Sequence, residues 1–149
     1  MRRHRALRPL SSEHHQALLV AFKVQKSLAG QAETAGAPTD LPGLVTLVRR
    51  FEEDVLVPHA RAEEELLGAY LTPGDIDRLR EEHRELRRLA AASRASRGEA
   101  PRRELAAFAE LLERHVRWEE RELFPYAEGH VDAATLADIG GEIEKRLVR

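Results

Sequence analysis

Apolar residues recur three and four positions apart through four long stretches of the chain, and no stretch alternates apolar with polar as a half-buried strand would. This periodicity predicts four amphipathic helices. The first runs from a cap at Ser11 or Ser12 to about Ala29, before a loop of small residues and proline from Gly30 to Pro38. Thr39 or Asp40 caps the second, with Pro42 in its first turn. Leu44, Val48, Phe51, Val55, Ala62, Leu66 and Tyr70 form its apolar face, and the internal Pro58 predicts a local bend. Thr72-Pro73 opens the third helix, which carries Ile76, Leu79, Leu86 and Ala90 and reaches about Ser96. Pro101 opens the fourth, with Leu105, Phe108, Leu112, Leu123 and Tyr126, and Asp132 caps a fifth to about Leu147. Long helices on short loops predict an all-α fold: an antiparallel up-down-up-down four-helix bundle with a short C-terminal fifth helix. Residues 1–9, basic and ending at Pro9, read as a loose N-terminal arm, and residues 10–149 as one domain.

Composition narrows the chemistry. The chain has no cysteine, which excludes disulfides, thiol catalysis, iron–sulfur clusters and thiolate zinc sites. A net charge of -2 gives no basis for binding nucleic acid or an anionic membrane. No apolar run approaches the ~18–20 residues of a membrane span, and no signal-peptide core follows Met1, so a cytoplasmic location is expected. The seven histidines then become the informative residues.

Projected at ~100° per residue, His14 falls at the centre of the first helix's apolar stripe, while His15 lies at its edge. His59 continues the line Val48–Phe51–Val55, His83 sits between Leu79 and Leu86, and His115 follows Phe108 and Leu112. Each helix therefore turns one histidine toward the core. His59 and His115 are each followed four residues later by a glutamate, Glu63 and Glu119, which shares their face. The two segments repeat at a period of 56, from His59-x-x-x-Glu63-Glu64 to His115-x-x-x-Glu119-Glu120. A buried carboxylate is costly unless it is paired or bound to a cation. The pattern predicts a pseudo-twofold metal site with ligands His14, His59, Glu63, His83, His115 and Glu119. Its symmetry suits two ions bridged by Glu63 and Glu119, and the imidazoles favour iron, manganese or zinc over calcium or magnesium. Glu64 and Glu120 are candidate acceptors behind the ligands, and His4 and His130 are expected at the surface. Trp118 and Tyr126 read as packing, and the Arg-rich stretch from Arg78 to Arg97 as a solvated face. The pocket is expected to be lined by Phe22, Phe51, Val55, Leu86, Phe108, Leu112 and Tyr126.

Glu13-His14-His15, His59-x-x-x-Glu63-Glu64, Glu82-His83 and His115-x-x-x-Glu119-Glu120 before Leu123-Phe124-Pro125 resemble the hemerythrin-like (HHE cation-binding) domain family over residues 10–128. The resemblance implies two non-haem iron ions, a di-iron centre, and binding, sensing or reaction with oxygen, nitric oxide or peroxide. The expected partners are that small ligand and a redox protein. Arg87 stands where oxygen-carrying members have a second histidine four residues after the first, and His115 is followed by Glu at both +4 and +5 rather than by Asp. A four-histidine set implies a more open or water-completed site. The ferritin-like alternative needs Glu-x-x-His, which no histidine here provides. A non-catalytic iron-binding or sensor module and a metal-free helical interaction domain are the other readings.

Overall fold

A computed structural model describes residues 2–147, and the chain over that range is helical without a strand. We number five helices: α1 (Arg8–Leu28), α2 (residues 41–70), α3 (Pro73–Ala95), α4 (residues 101–130) and α5 (Ala133–Leu147). The expected starts of α2, α3 and α5 are found. The Asp40 carboxylate accepts from Gly43 N at 2.8 Å, the Thr72 hydroxyl from Asp75 N at 3.1 Å, and Asp132 from Thr135 N at 2.8 Å. The stretch read as a loop before α2 contains one helical turn, Ala32–Ala35, closed by Gly36 at φ 60°.

The start of α1 and the segment before it differ from the sequence reading. Helix α1 begins at Arg8 with Pro9 in its first turn, upstream of Ser11 and Ser12. Ahead of it, Arg5–Leu7 forms a 3₁₀ turn in which His4 Nδ1 accepts from Ala6 N at 3.0 Å. Leu7 and Leu10 are fully buried. Burying both requires the helical phase to begin before the serines, and Ser11 is thereby released to donate to Glu120 at 2.7 Å. The segment read as a loose arm is described from Arg2 onward, Met1 lying outside the described residues, and it buries Ala6 and Leu7.

Helices α2 and α4 each contain a proline after their first turns, and both absorb it in the same way. A widened π turn, Glu52–Leu56 in α2 and Glu119–Leu123 in α4, ends two residues before Pro58 and Pro125 respectively. Val57 N–H bonds Glu52 O and Phe124 N–H bonds Glu119 O, an i→i−5 register that re-routes the ladder around the missing donor. A second π turn, Glu63–Leu67, follows in α2. An extra residue per turn rotates the downstream face by about 100°. This rotation accounts for two departures: Leu67 is buried where Leu66 was expected, and Tyr70 is turned out to solvent.

The core has two parts. One holds Ala21, Val48, Leu86, Phe108 and Leu112 among others; the second holds Leu7, Leu10, Leu67, Leu79, Leu123, Phe124 and Ile139. Along each of α1 to α4 the chain passes from one to the other through its buried histidine: Leu10–His14–Ala17, Leu56–His59–Ala62, Leu79–His83–Leu86 and Leu112–His115–Trp118. A polar layer thus lies between two dry cores. The second core is closed by α5, where Gly140 meets the 3₁₀ turn so closely that a Cβ there would stand 2.8 Å from Ala6 Cα. Gly140→Ala is therefore expected to destabilise the fold by about 1–3 kcal/mol. Gly141→Ala, with open space around it, should gain up to ~1 kcal/mol from helix propensity. Urea denaturation of the two variants checks both signs.

Candidate metal centre

The six residues expected from the sequence converge in that layer. Their ligand atoms form two overlapping groups, His14, His59, Glu63, Glu119 and His83, His115, Glu63, Glu119, with the atoms of each group within 4.8 Å of one another. Both carboxylates belong to both groups. His59 Nε2 lies 3.0 Å and His14 Nε2 3.8 Å from Glu63 Oε2, while His83 Nε2 is 3.2 Å from Glu63 Oε1. His14 Nε2 and His115 Nε2 approach Glu119 Oε1 at 3.4 and 2.6 Å. Glu63 and Glu119 are 0% exposed. Despite these distances, both oxygens of each glutamate and Nε2 of His83 and His115 lack an aligned hydrogen-bond partner. Buried polar atoms are rarely left so, and a cluster of six converging on one point is what a bound cation would satisfy. Four imidazole nitrogens and four carboxylate oxygens suit a transition metal.

Each imidazole is held from behind through its other nitrogen. His59 Nδ1 donates to Glu13 Oε1 at 2.9 Å, and His83 Nδ1 to Glu64 Oε2 at 2.7 Å. His115 Nδ1 donates to Glu82 Oε1 at 2.7 Å, and His14 Nδ1 to Glu120 Oε2 at 2.6 Å. The supports run in a closed ring: α1 holds the histidine of α2, α2 that of α3, α3 that of α4, and α4 that of α1. With Nδ1 as donor in all four, every Nε2 lone pair faces inward when the ring is neutral. Glu64 and Glu120 were candidates for this role from sequence, whereas Glu13 and Glu82 were not. Their signal was adjacency: each directly precedes an inward histidine and so points one helix position round, toward the neighbouring helix.

The carboxylates draw protons onto the imidazoles in the metal-free chain. Burial opposes charging His83, but Glu63 and Glu64 outweigh it and its pKa is pushed up to about 9. The same contest at His115, decided by Glu119 and Glu82, pushes it up to about 8. His14 and His59 are also raised against burial, chiefly by Glu119 and Glu63 respectively. Glu119 is held well below the carboxylate range in spite of burial, chiefly by His115. Burial would likewise raise Glu120, yet bonds from His14 and Ser11 hold it at about 2.

A cavity of about 10 Å³ reaches the cluster beside His14, His59, His115 and Glu119, walled by Phe51, Val55 and Leu112 as expected and also by Ala17, Leu56 and Val116. One water needs about 10–15 Å³, so only something of that size fits without movement. Four expected wall residues lie elsewhere. Phe22 is 44% exposed, Tyr126 stacks on His130 at 3.9 Å, and Leu86 and Phe108 are buried in the first core away from the cavity. His15 is exposed, one helix position off the layer, as are His4 and His130. Trp118 is buried in the second core, with the Arg78 guanidinium 4.2 Å from its ring centroid.

A helical fold that turns four histidines and two carboxylates onto one buried point defines a cation-binding domain. The family model for the hemerythrin HHE cation-binding domain matches residues 3–135, and the chain belongs to that family. Neither the curated proteins nor the solved structures contain a significant match. Among the described residues no helix is long and apolar enough to cross a membrane.

A histidine pKa raised by folding adds stability below its unfolded value of ~6.5, and that stability is lost as pH climbs through the folded value. Chelated protein should therefore melt at a higher temperature at pH 6.5 than above pH 9, the loss spanning the values of about 8 for His115 and about 9 for His83. Divalent-metal affinity should rise over the same window, because binding displaces those protons. Calorimetry of the chelated protein and metal titrations across this range check the two opposed slopes.

Proposed function

We propose that this chain is a non-haem di-iron hemerythrin-like protein that binds, senses or reacts with oxygen, nitric oxide or peroxide. In this reading α1 to α4 form an antiparallel up-down-up-down bundle; His14 and His59 would hold one iron and His83 and His115 the other, with Glu63 and Glu119 offering oxygens to both. The observation that carries it is the sharing of both buried carboxylates between the two ligand groups. One ion would leave half of the inward nitrogens unmatched, and two ions bridged by carboxylates use them all. Iron, when bound, supplies a redox-active centre able to take up a small ligand.

The residues around it exclude larger chemistry. The apolar walls Phe51, Val55 and Leu112 keep the approach dry and narrow, which favours small uncharged molecules over anions or substrates with bulky groups. The ring of Glu13, Glu64, Glu82 and Glu120 keeps each imidazole turned inward and raises its basicity as a ligand. Among the described residues, the titratable side chains on the cavity are four of the six expected ligands and Glu13, which is engaged with His59, so the chemistry we propose is binding or redox. The placement of the polar layer between two cores supports a second reading, a sensor module in which occupancy orders the bundle and a partner reads that order.

Iron-loaded protein should contain about two irons per chain by metal analysis; a single zinc would overturn the di-iron reading. His14→Ala should lose metal and His15→Ala retain it. The reduced protein should change its visible spectrum on exposure to air, and Glu63→Ala or Glu119→Ala should weaken that change. A reduced, fully loaded protein inert to oxygen, nitric oxide and peroxide alike would leave the sensor reading.

A further inference from the structure

The basic segment ahead of α1 is anchored to α4 beside the support of a single imidazole. Arg3 Nη2 donates to the Glu120 carbonyl at 2.8 Å and to Glu120 Oε1 at 3.2 Å, and Nη1 donates to Glu128 Oε1 at 2.5 Å. The His4 backbone N–H donates to the other oxygen of Glu128. The Arg3 guanidinium also lies over the Phe124 ring, 5.3 Å from its centroid. Both groups that Arg3 covers hold His14: Glu120 accepts from its Nδ1 at 2.6 Å, and Phe124 stacks on its ring at 5.2 Å with planes 10° apart. The other guanidiniums behind the ring, Arg78 at 3.0 Å from Glu82 and Arg80 at 3.7 Å from Glu64, come from α3 itself. Among the described residues, His14 alone is braced in this way by a side chain from outside the four long helices.

We infer that Arg3 is a positioning residue for the His14 ligand position, so that docking of the segment before α1 and cation occupancy at His14–His59 are linked. Arg3 fixes Glu120 by a fork to its carbonyl and carboxylate, and Glu120 fixes the imidazole. Without Arg3, Glu120 keeps the Ser11 hydroxyl at 2.7 Å as its one support besides the imidazole it positions, and His14 is held less firmly in its preset orientation. The linkage is reciprocal: whatever the docked segment adds to cation affinity at this position, the cation adds to docking of the segment. The inference rests on the two-ion reading, and the test separates the two.

Cobalt(II) titration of the chelated protein, followed by visible absorption, reads the ions in turn. Wild type is expected to take two. Arg3→Ala should weaken one of them about tenfold and leave the other unchanged, and Arg3→Lys should recover part of the loss. Arg2→Ala, at an exposed neighbour, should match wild type. Conversely, cobalt loading should slow tryptic cleavage after Arg3 and Arg5 in wild type. An Arg3→Ala protein that binds both ions as tightly as wild type, or loses both equally, overturns the inference. Should Arg3→Ala fail to fold, wild-type cleavage that loading does not slow overturns it. A wild-type chain that takes fewer than two ions overturns the two-ion reading instead.

Discussion

Two carboxylates with no access to water, Glu63 and Glu119, are the constraint around which this protein is arranged. Isolated in an apolar interior, each would cost several kcal/mol. Here each is surrounded by inward imidazole nitrogens whose hold on a proton it strengthens in the metal-free chain, and a cation would take the place of those protons. The apolar cores on either side keep water from satisfying the oxygens, so the charge must be answered inside the layer. A cation held here would thus be tied to the stability of the helical layers on both sides rather than to a surface loop.

The ring of outer glutamates answers a second problem. An imidazole on a helix can rotate and can present either nitrogen, and four of them must agree. Each is locked by a carboxylate from a neighbouring helix, so no helix can shift along its axis without releasing the histidine it supports. Three of the outer carboxylates, Glu64, Glu82 and Glu120, are partly exposed and meet arginines, which lets their charge be screened while the inner pair stays dry. Register between helices and orientation of the ligands are therefore one property.

The widened turns connect the backbone to this layer. Glu63 and Glu119 each begin a π turn, immediately after the regular segment that carries their histidine. Up to that point helical spacing brings His and Glu to one face; beyond it the phase slips, and in α2 Leu67 rather than Leu66 enters the second core. Pro125 gives a covalent reason for the turn at Glu119, since it removes a donor two residues past the turn's end. The turn at Glu63 has no such proline and runs instead into the 3₁₀ turn Gly68–Tyr70 that closes α2.

Much of this was legible in the sequence, because it depended on spacing within one helix. The helical periods, the caps at Asp40, Thr72 and Asp132, the inward face of each histidine and the two His-x-x-x-Glu pairs are all local, and a 3.6-residue repeat brings their members together whatever surrounds them. The choice of His14 over its neighbour His15 came from the same phase argument, and His14 is the one buried. What depended on neighbouring helices was not legible. Glu13 and Glu82 acquire their role only when α1 lies beside α2 and α3 beside α4; Tyr126 leaves the pocket beyond the widened turn of α4, and Phe22 is turned out to solvent on α1. The segment before α1 has too few apolar residues to predict its own packing. It is held by Arg3 on Glu120 and by Ala6 on Gly140, contacts more than a hundred residues apart in the chain that only the tertiary structure brings together.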